Sequence, residues 1–236
     1  MNNEMRIVCF GAGVGSTSMT IELVRRKVPF DAVVFADTGC ELPETLETVG
    51  VLDKWLKAKG LPGVTIVRNP KETLEEHCLR LHALPSFAYG GRRCTDHFKL
   101  RPMHKWIKSQ PQAQATWRAG KRVIRYVGFD IEESERAKRS ARAVLKMYDE
   151  QYPLIRWGVM RWEAQEICKT QGWDVNKSSC WCCPAMKKRE VFELSQKHPG
   201  LLLARALTIE RNANLRTIKG LGRSWNWSDF LLKGKN

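Results

Sequence analysis

A short apolar run, a glycine-rich or acidic turn and a stretch of helix-spaced apolar residues recur in that order along the first 130 residues. RIVCF (6–10) stops at GAGVGS, and 16–26 then repeats apolar residues at helical period, with Ser16 or Thr17 suited to cap that helix. AVVF (32–35) stops at Asp37-Thr38-Gly39, and 43–59 reads as a long amphipathic helix with Pro43 in its first turn and Gly60 beyond its end. VTIV (64–67) is followed by a helix over 71–82, and VIRYV (123–127) by Gly128-Phe129-Asp130 and a charged helix over 132–147. Strands alternating with helices through short turns form βαβ units, so the expected fold class is α/β: an open parallel sheet with helices on both faces. Residues 83–98 break the rhythm with Pro85, Gly90-Gly91 and Arg92-Arg93 and read as a surface loop, with a helix over 99–109. Beyond about 150 the pattern becomes helical and irregular. The expected organisation is therefore a 1–150 core carrying a helical, cysteine-containing 151–236 extension packed on it.

Charge divides the chain. Residues 1–91 hold 10 Lys/Arg against 11 Asp/Glu, whereas 92–236 hold 30 against 14, giving a net charge of +15. A neutral part joined to a strongly basic one points to a polyanionic partner, nucleic acid above all. Arg92, Arg93, Lys99 and Arg101 form one basic group, and Arg136, Lys138 and Arg139 another; both read as tracks for a phosphate backbone. Phe87, Tyr89, Trp181, Trp225 and Trp227 are candidates to stack on an unpaired or flipped base. No apolar run is long enough to span a bilayer, and the first residues lack a signal-peptide pattern, so no membrane role is expected and the expected compartment is the cytoplasm. There, the eight cysteines are expected to be thiols or metal ligands.

In an open parallel sheet, ligands bind beyond the carboxyl ends of the strands, where the strand order reverses. Gly11, Gly13 and Gly15, followed by Ser16 and Thr17, let backbone N–H groups and a helix N-terminus approach a phosphate; Gly39 opens the second such turn. Neither the Rossmann spacing nor a Walker lysine is present. The carboxylates at strand ends, Asp37, Asp130 and Glu133, with Glu41, Glu44 and Glu132 beside them, are candidates for acid–base work. Cys180-x2-Cys183 is half of a common metal pattern.

FGAGVGSTSM followed by VVFADTGCELPETLE resembles the phosphoadenosine-phosphosulfate (PAPS) reductase and adenine-nucleotide α-hydrolase-like superfamily, whose phosphate loop SGGxDS precedes a strand and a DTGxxxPET segment. Cys94-Thr-Asp-His-Phe-Lys99-Leu-Arg-Pro102 resembles its Cys-x4-Lys-x2-Pro segment, and GFDIEESERAK its later strand-to-helix turn. CWCCPAMKKREVFELSQKHPGLLLARALTIE is similar to a Cys-x2-Cys-Pro module of phage- and defence-associated members. These matches run in order over about 7–210.

The resemblance implies an iron–sulfur cluster or a structural zinc at Cys94, Cys180 and Cys183, with Cys182 or His97 as fourth ligand. Gly15 stands where the family loop has Asp, and Val14 where a basic residue is common, which argues against ATP-driven adenylation. The family's Glu-Cys-Gly nucleophile has no counterpart after Cys183, which argues against sulfonucleotide reduction. Three readings remain, the first of them favoured. One is a hydrolase acting on modified phage DNA: a glycosylase of the anti-phage kind that flips a base and uses Asp37 or Asp130 to stabilise an oxocarbenium-like sugar. Another is an ATP- or PAPS-dependent sulfur- or nucleotidyl-transfer enzyme built around the cysteine site. A DNA-binding module without catalysis is a third.

Overall fold

The structure is a computed structural model and describes residues 4–142 and 146–233. Five strands, β1 (Arg6–Phe10), β2 (Ala32–Asp37), β3 (Val64–Arg68), β4 (Val123–Val127) and β5 (Tyr148–Gln151), lie in the order β3-β2-β1-β4-β5. β1 pairs in parallel with β2 and β4, and β4 with β5. The helices of seven or more residues are α1 (Val14–Arg25), α2 (Pro43–Ala58), α3 (Leu74–Arg80), α4 (Arg101–Ser109), α5 (Pro111–Arg118), α6 (Ser134–Arg142), α7 (Arg161–Lys169), α8 (Lys188–Lys197), α9 (Leu201–Asn212) and α10 (Trp227–Lys233). No described helix is long and apolar enough to cross a membrane.

The chain divides into two compact units. The first comprises residues up to Ala36, Pro43–Val67 and Met103–Ser178; the second comprises Asp37–Leu42, Arg68–Pro102 and the residues from Ser179 onward. This differs from the expected division at residue 150. Residues 151–178 belong with the sheet because Leu154, Val159, Ala164 and Cys168 pack into the same core as Val8, Phe10 and Phe35.

In the first unit, alternation along each strand assigns side chains to two faces. Val8 and Phe10 of β1, Val33 and Phe35 of β2 and Ile124 and Tyr126 of β4 join one core with residues of α1, α2 and α7. Ile7, Val34, Ala36 and Val123 join the other, with Met103 and Ile107 of α4 and Ala113 of α5. The α/β class and the helices on both faces are as the periodicity predicts. A buried charge lies within this apparently apolar sheet. Arg125 of β4 is 2.5 Å from Glu150 of β5, 3.1 Å from His104 Nε2, and lies over the Tyr148 ring at 4.3 Å.

Several expected boundaries change. The first helix begins at Val14, with Gly13 as its cap; Ser16 and Thr17 sit inside its first turn. The helix expected over 71–82 is shorter, because a capping box between Thr73 and Glu76 starts it at Leu74. The 83–98 loop contains a 3₁₀ turn at Ser86–Tyr89 and a helical turn at Arg93–Thr95, continued by a π turn at Asp96–Leu100 into α4. The helix expected over 132–147 is a 3₁₀ turn (Ile131–Glu133) and then α6; its continuation through 143–145 lies outside the described residues. β5 and α5 are additional, since YDEQ and PQAQATWR lack an apolar period.

The second unit packs around Trp181, Trp227, Phe98, Leu194, Ile209 and Leu221. Glu210 of α9 organises its end. Glu210 is buried and accepts hydrogen bonds from the N–H groups of Leu221, Trp227 and Ser228 and from the Ser228 hydroxyl, at 2.7–3.1 Å.

Candidate functional site

In the first unit, the strand order places the reversal between β1 and β4, and the loops after those two strands meet there. Gly15 and Gly128 pack backbone to backbone: a Cβ on Gly15 would lie 2.3 Å from the Gly128 carbonyl oxygen. The family's aspartate is therefore sterically excluded from position 15 in this arrangement. Ser16 closes the loop on itself, its hydroxyl accepting from Gly11 N–H and donating to the Gly13 carbonyl, both at 3.1 Å. Ala12 is held in the left-handed region at φ +55°. The Thr17 hydroxyl is fully buried and has no hydrogen-bond partner among the described residues. The loop thus presents the amino end of a 12-residue helix with no acidic residue in its first turn, a setting suited to an anion.

Of the expected carboxylates, Asp37, Asp130 and Glu133 are each occupied. Asp37 is buried; Arg68 Nε donates to its Oδ2 at 2.8 Å, and Gly39 N–H donates to its Oδ1 at 2.7 Å. Gly39, at φ +76°, completes that turn against Thr73, where a Cβ would meet Thr73 Cγ2 at 2.5 Å, so its role is in the turn. Asp130 caps the 3₁₀ turn through Glu132 N–H at 3.1 Å and lies 3.6 Å from Arg161. Glu133 pairs with Arg136 at 2.6 Å.

The second unit assembles a thiol centre. An antiparallel bridge sets Glu41 opposite Cys180, fixed by Leu42 N–H to Ser179 O (3.0 Å) and Trp181 N–H to Cys40 O (2.9 Å). The Cys180 sulfur lies 3.3 Å from the Thr38 hydroxyl and 3.8 Å from Glu41 Oε1. Thr38 donates to the same Glu41 oxygen at 3.1 Å, and Lys99 Nζ stands 3.2 Å from it. The π turn carries Lys99 to that position. Such turns insert an extra residue and re-aim a side chain, and they recur at functional sites. Burial, then the Glu41 charge, push the Cys180 thiol well above its ordinary value, with Lys99 opposing them. Burial works against the Lys99 charge, but Glu41, Cys180 and Cys183 outweigh it and raise Lys99, so the lysine remains an ammonium. Glu41 Oε2 is buried with no hydrogen-bond partner among the described residues.

The implied metal set does not come together. Cys182, adjacent to Cys183, turns into the core, where a hydrogen bond with Cys40 and burial hold its thiol neutral. Cys180 is engaged by Thr38 and Glu41. Cys94 is half-buried, with its N–H on Ser86 Oγ at 2.8 Å. His97 faces Asp96 at 3.9 Å and the His77 ring. Among the described residues, no three Cys, His, Asp or Glu side chains converge as ligands. Cys183 is half-buried, its N–H donating to the Cys180 carbonyl at 3.1 Å. No ligand set for a cluster or a zinc ion is gathered among the described residues.

Of the expected basic residues, Lys99 is committed to Glu41, Arg101 pairs with Asp96 at 2.8 Å, and Lys138 pairs with Glu135 at 2.6 Å. Arg136, besides pairing with Glu133, lies 4.5 Å over the Phe129 ring. Arg92, Arg93 and Arg139 are exposed. Trp181 and Trp227 are buried, and Trp225 stacks on Trp227 at 6.4 Å. Thr38 was not among the expected site residues; its only sequence signal is its place between Asp37 and Gly39 in the turn after β2.

No protein-family model matches the chain. An uncharacterized protein of Methanocaldococcus jannaschii is 26% identical over 202 residues, covering 83% of this chain and 39% of that protein. The chain therefore spans about two fifths of the length of the curated relative it matches. Among solved structures, PAPS reductase from Candida auris in its phosphate complex is 15% identical over 75% of this chain and 76% of that one, with a TM-score of 0.44. The U34-tRNA thiolase NcsA from Methanococcus maripaludis, with its 4Fe–4S cluster, is 14% identical over 98% of this chain and 81% of that one, with a TM-score of 0.48. Each is a distant similarity and does not by itself carry the function of its protein to this chain.

Proposed function

We propose that this chain is a sulfur- or nucleotidyl-transfer enzyme that takes a nucleotide phosphate at the 11–17 loop and uses Cys180 as its sulfur-handling group. The observation that carries this reading is the Cys180–Thr38–Glu41–Lys99 cluster. A buried thiol is inert until it loses its proton. Thr38 lies between the Cys180 sulfur and Glu41 Oε1, so the proton has a route through the hydroxyl to the carboxylate. The Lys99 ammonium then offsets the negative charge left on sulfur. The resulting thiolate is the nucleophile: it attacks the outer sulfur of a persulfide donor, the donor's S–S bond breaks, the donor leaves as its thiol, and Cys180 carries the sulfur as a persulfide.

The base-excising alternative draws less support, because Asp37, Asp130 and Glu133 are each held by an arginine and none stands free to face a sugar cation. The test is incubation with a persulfide donor, with ATP or PAPS present, and release of the donor's thiol measured by chromatography. The expected result is that nucleotide raises Tm in both wild type and Cys180→Ala, while product release is lost in Cys180→Ala and falls about 100-fold or more in Lys99→Met. Product release by Cys180→Ala at the wild-type rate sinks the reading.

A further inference from the structure

The second unit carries a groove of about 640 Å³, away from Cys180 in its lining residues, between the 3₁₀ turn ending at Tyr89 and the turn over 217–224. Its wall includes Tyr89, Ile218, Arg223 and Ser224. That volume lies within the usual range for small-ligand clefts and is ample for one nucleotide.

Three observations define what it takes. First, Tyr89 is 45% exposed although aromatic, and its hydroxyl accepts from Leu84 N–H at 3.3 Å, so the ring is anchored by its polar end while much of it remains in contact with solvent. The other candidate aromatics are spent: Phe87 lies 5.7 Å beneath the Arg223 guanidinium, and Trp225 packs on Trp227 and, edge-on at 5.2 Å, on Phe230. Second, Arg223 sits at the tip of a tight turn in the left-handed region, at φ +68°. Its N–H donates to Gly220 O at 2.8 Å, and its own carbonyl accepts from Lys219 N–H at 2.7 Å. A non-glycine residue in that conformation carries strain that the surrounding turn must offset, and such positions cluster at ligand sites. Third, the groove is flanked in sequence by exposed cations: Arg92 and Arg93 after Tyr89, and Arg216 and Lys219 beside Ile218. None of these four, nor Arg223, has a carboxylate partner within ion-pair distance among the described residues.

We infer that this groove binds one unpaired base of a single-stranded polynucleotide, stacked on Tyr89, with Arg223 and the neighbouring arginines on the phosphates that flank it. A planar aromatic platform beside unneutralised cations is the chemistry that single strands require. A mononucleotide would use the platform but leave Arg92, Arg93 and Arg216 without phosphates to meet. The inference does not depend on thiol chemistry at Cys180.

The experiment is fluorescence anisotropy of labelled mixed-sequence 12-nucleotide RNA and DNA strands at 50 and 200 mM salt. It compares wild type with Tyr89→Ala, Tyr89→Trp, Arg223→Gln and Lys54→Gln, the last removing an exposed cation on α2. Tyr89→Ala should weaken binding about 5-fold or more, the range for loss of one stacked base, and Tyr89→Trp should restore it. Arg223→Gln should weaken binding and reduce the salt slope by about 0.7, and Lys54→Gln should bind within about twofold of wild type. RNA and DNA arms identify which strand is preferred, and either preference upholds the site. If Tyr89→Ala and Arg223→Gln bind like Lys54→Gln while their circular dichroism is unchanged, the groove is not the site. Equal competition by a strand and by a non-aromatic polyanion such as polyphosphate also overturns it. Cys180→Ala should bind strands as wild type does, so failure of the thiol reading leaves this result intact.

Discussion

At the scale of single residues, the departure of Gly15 from the family loop has a steric cause. Gly128 leaves no room for a side chain at position 15, so the loop and the strand-end turn are matched to one another. Gly15→Asp should lower the unfolding free energy by about 2–3 kcal/mol or more, as overpacking against backbone does, and urea titration measures it. The thiols give a second residue-scale expectation. Burial first, and then neighbouring thiols and carboxylates, push Cys78 up to about 12, and burial pushes Cys9 and Cys168 up to about 11. The unfolded chain releases these protons near pH 9, before the folded chain does. Their contribution to stability is therefore complete below pH 9 and is lost as pH rises from about 9 towards 11–12. Unfolding curves at pH 8 and pH 10 should show the drop, and removing the Cys78 thiol by Cys78→Ala should reduce its pH dependence.

At the scale of elements, two buried charges fasten secondary structure that apolar packing alone would leave adjustable. Glu210 ties α9 to the 220–222 turn and to the start of α10 through three backbone N–H groups. Glu210→Ala leaves those donors unpaired and should cost about 3 kcal/mol, read from thermal or urea melts. Arg125 and Glu150 join β4 to β5 inside the sheet. Removing one partner strands the other charge, so Arg125→Met should cost about 3–5 kcal/mol, whereas Arg125→Met with Glu150→Leu should recover much of it. The strand pattern revealed β1, β2 and β4 because their apolar residues lie on two covered faces, and the edge strand β3, whose Ile66 is exposed, because of its β-branched run. It did not reveal β5, since YDEQ owes its place to Arg125 and the backbone ladder. The π turn that presents Lys99 was equally hidden, because a five-residue turn is too short to show a period of its own.

At the scale of the whole chain, the net charge of +15 makes binding to any polyphosphate a salt-dependent quantity. Affinity for single strands should fall about tenfold or more between 50 and 200 mM salt, measured in the anisotropy titration described above. The two units have separate apolar cores, and each holds one part of the proposed chemistry: the phosphate loop in the first, the thiol centre and the groove in the second. The amino-acid sequence by itself determined the parallel α/β rhythm and the glycine loop, because both rest on local periodicity and turn chemistry. It also determined which residue types were available for sulfur and phosphate. Only the tertiary structure decided their partners. Cys180 meets Thr38 across 142 positions and Arg205 meets Glu75 across 130, while Cys182 bonds Cys40 from the far end of the chain. Side-chain meetings at such separations follow from how the chain folds back on itself, and local sequence carries no energy that distinguishes one such partner from another.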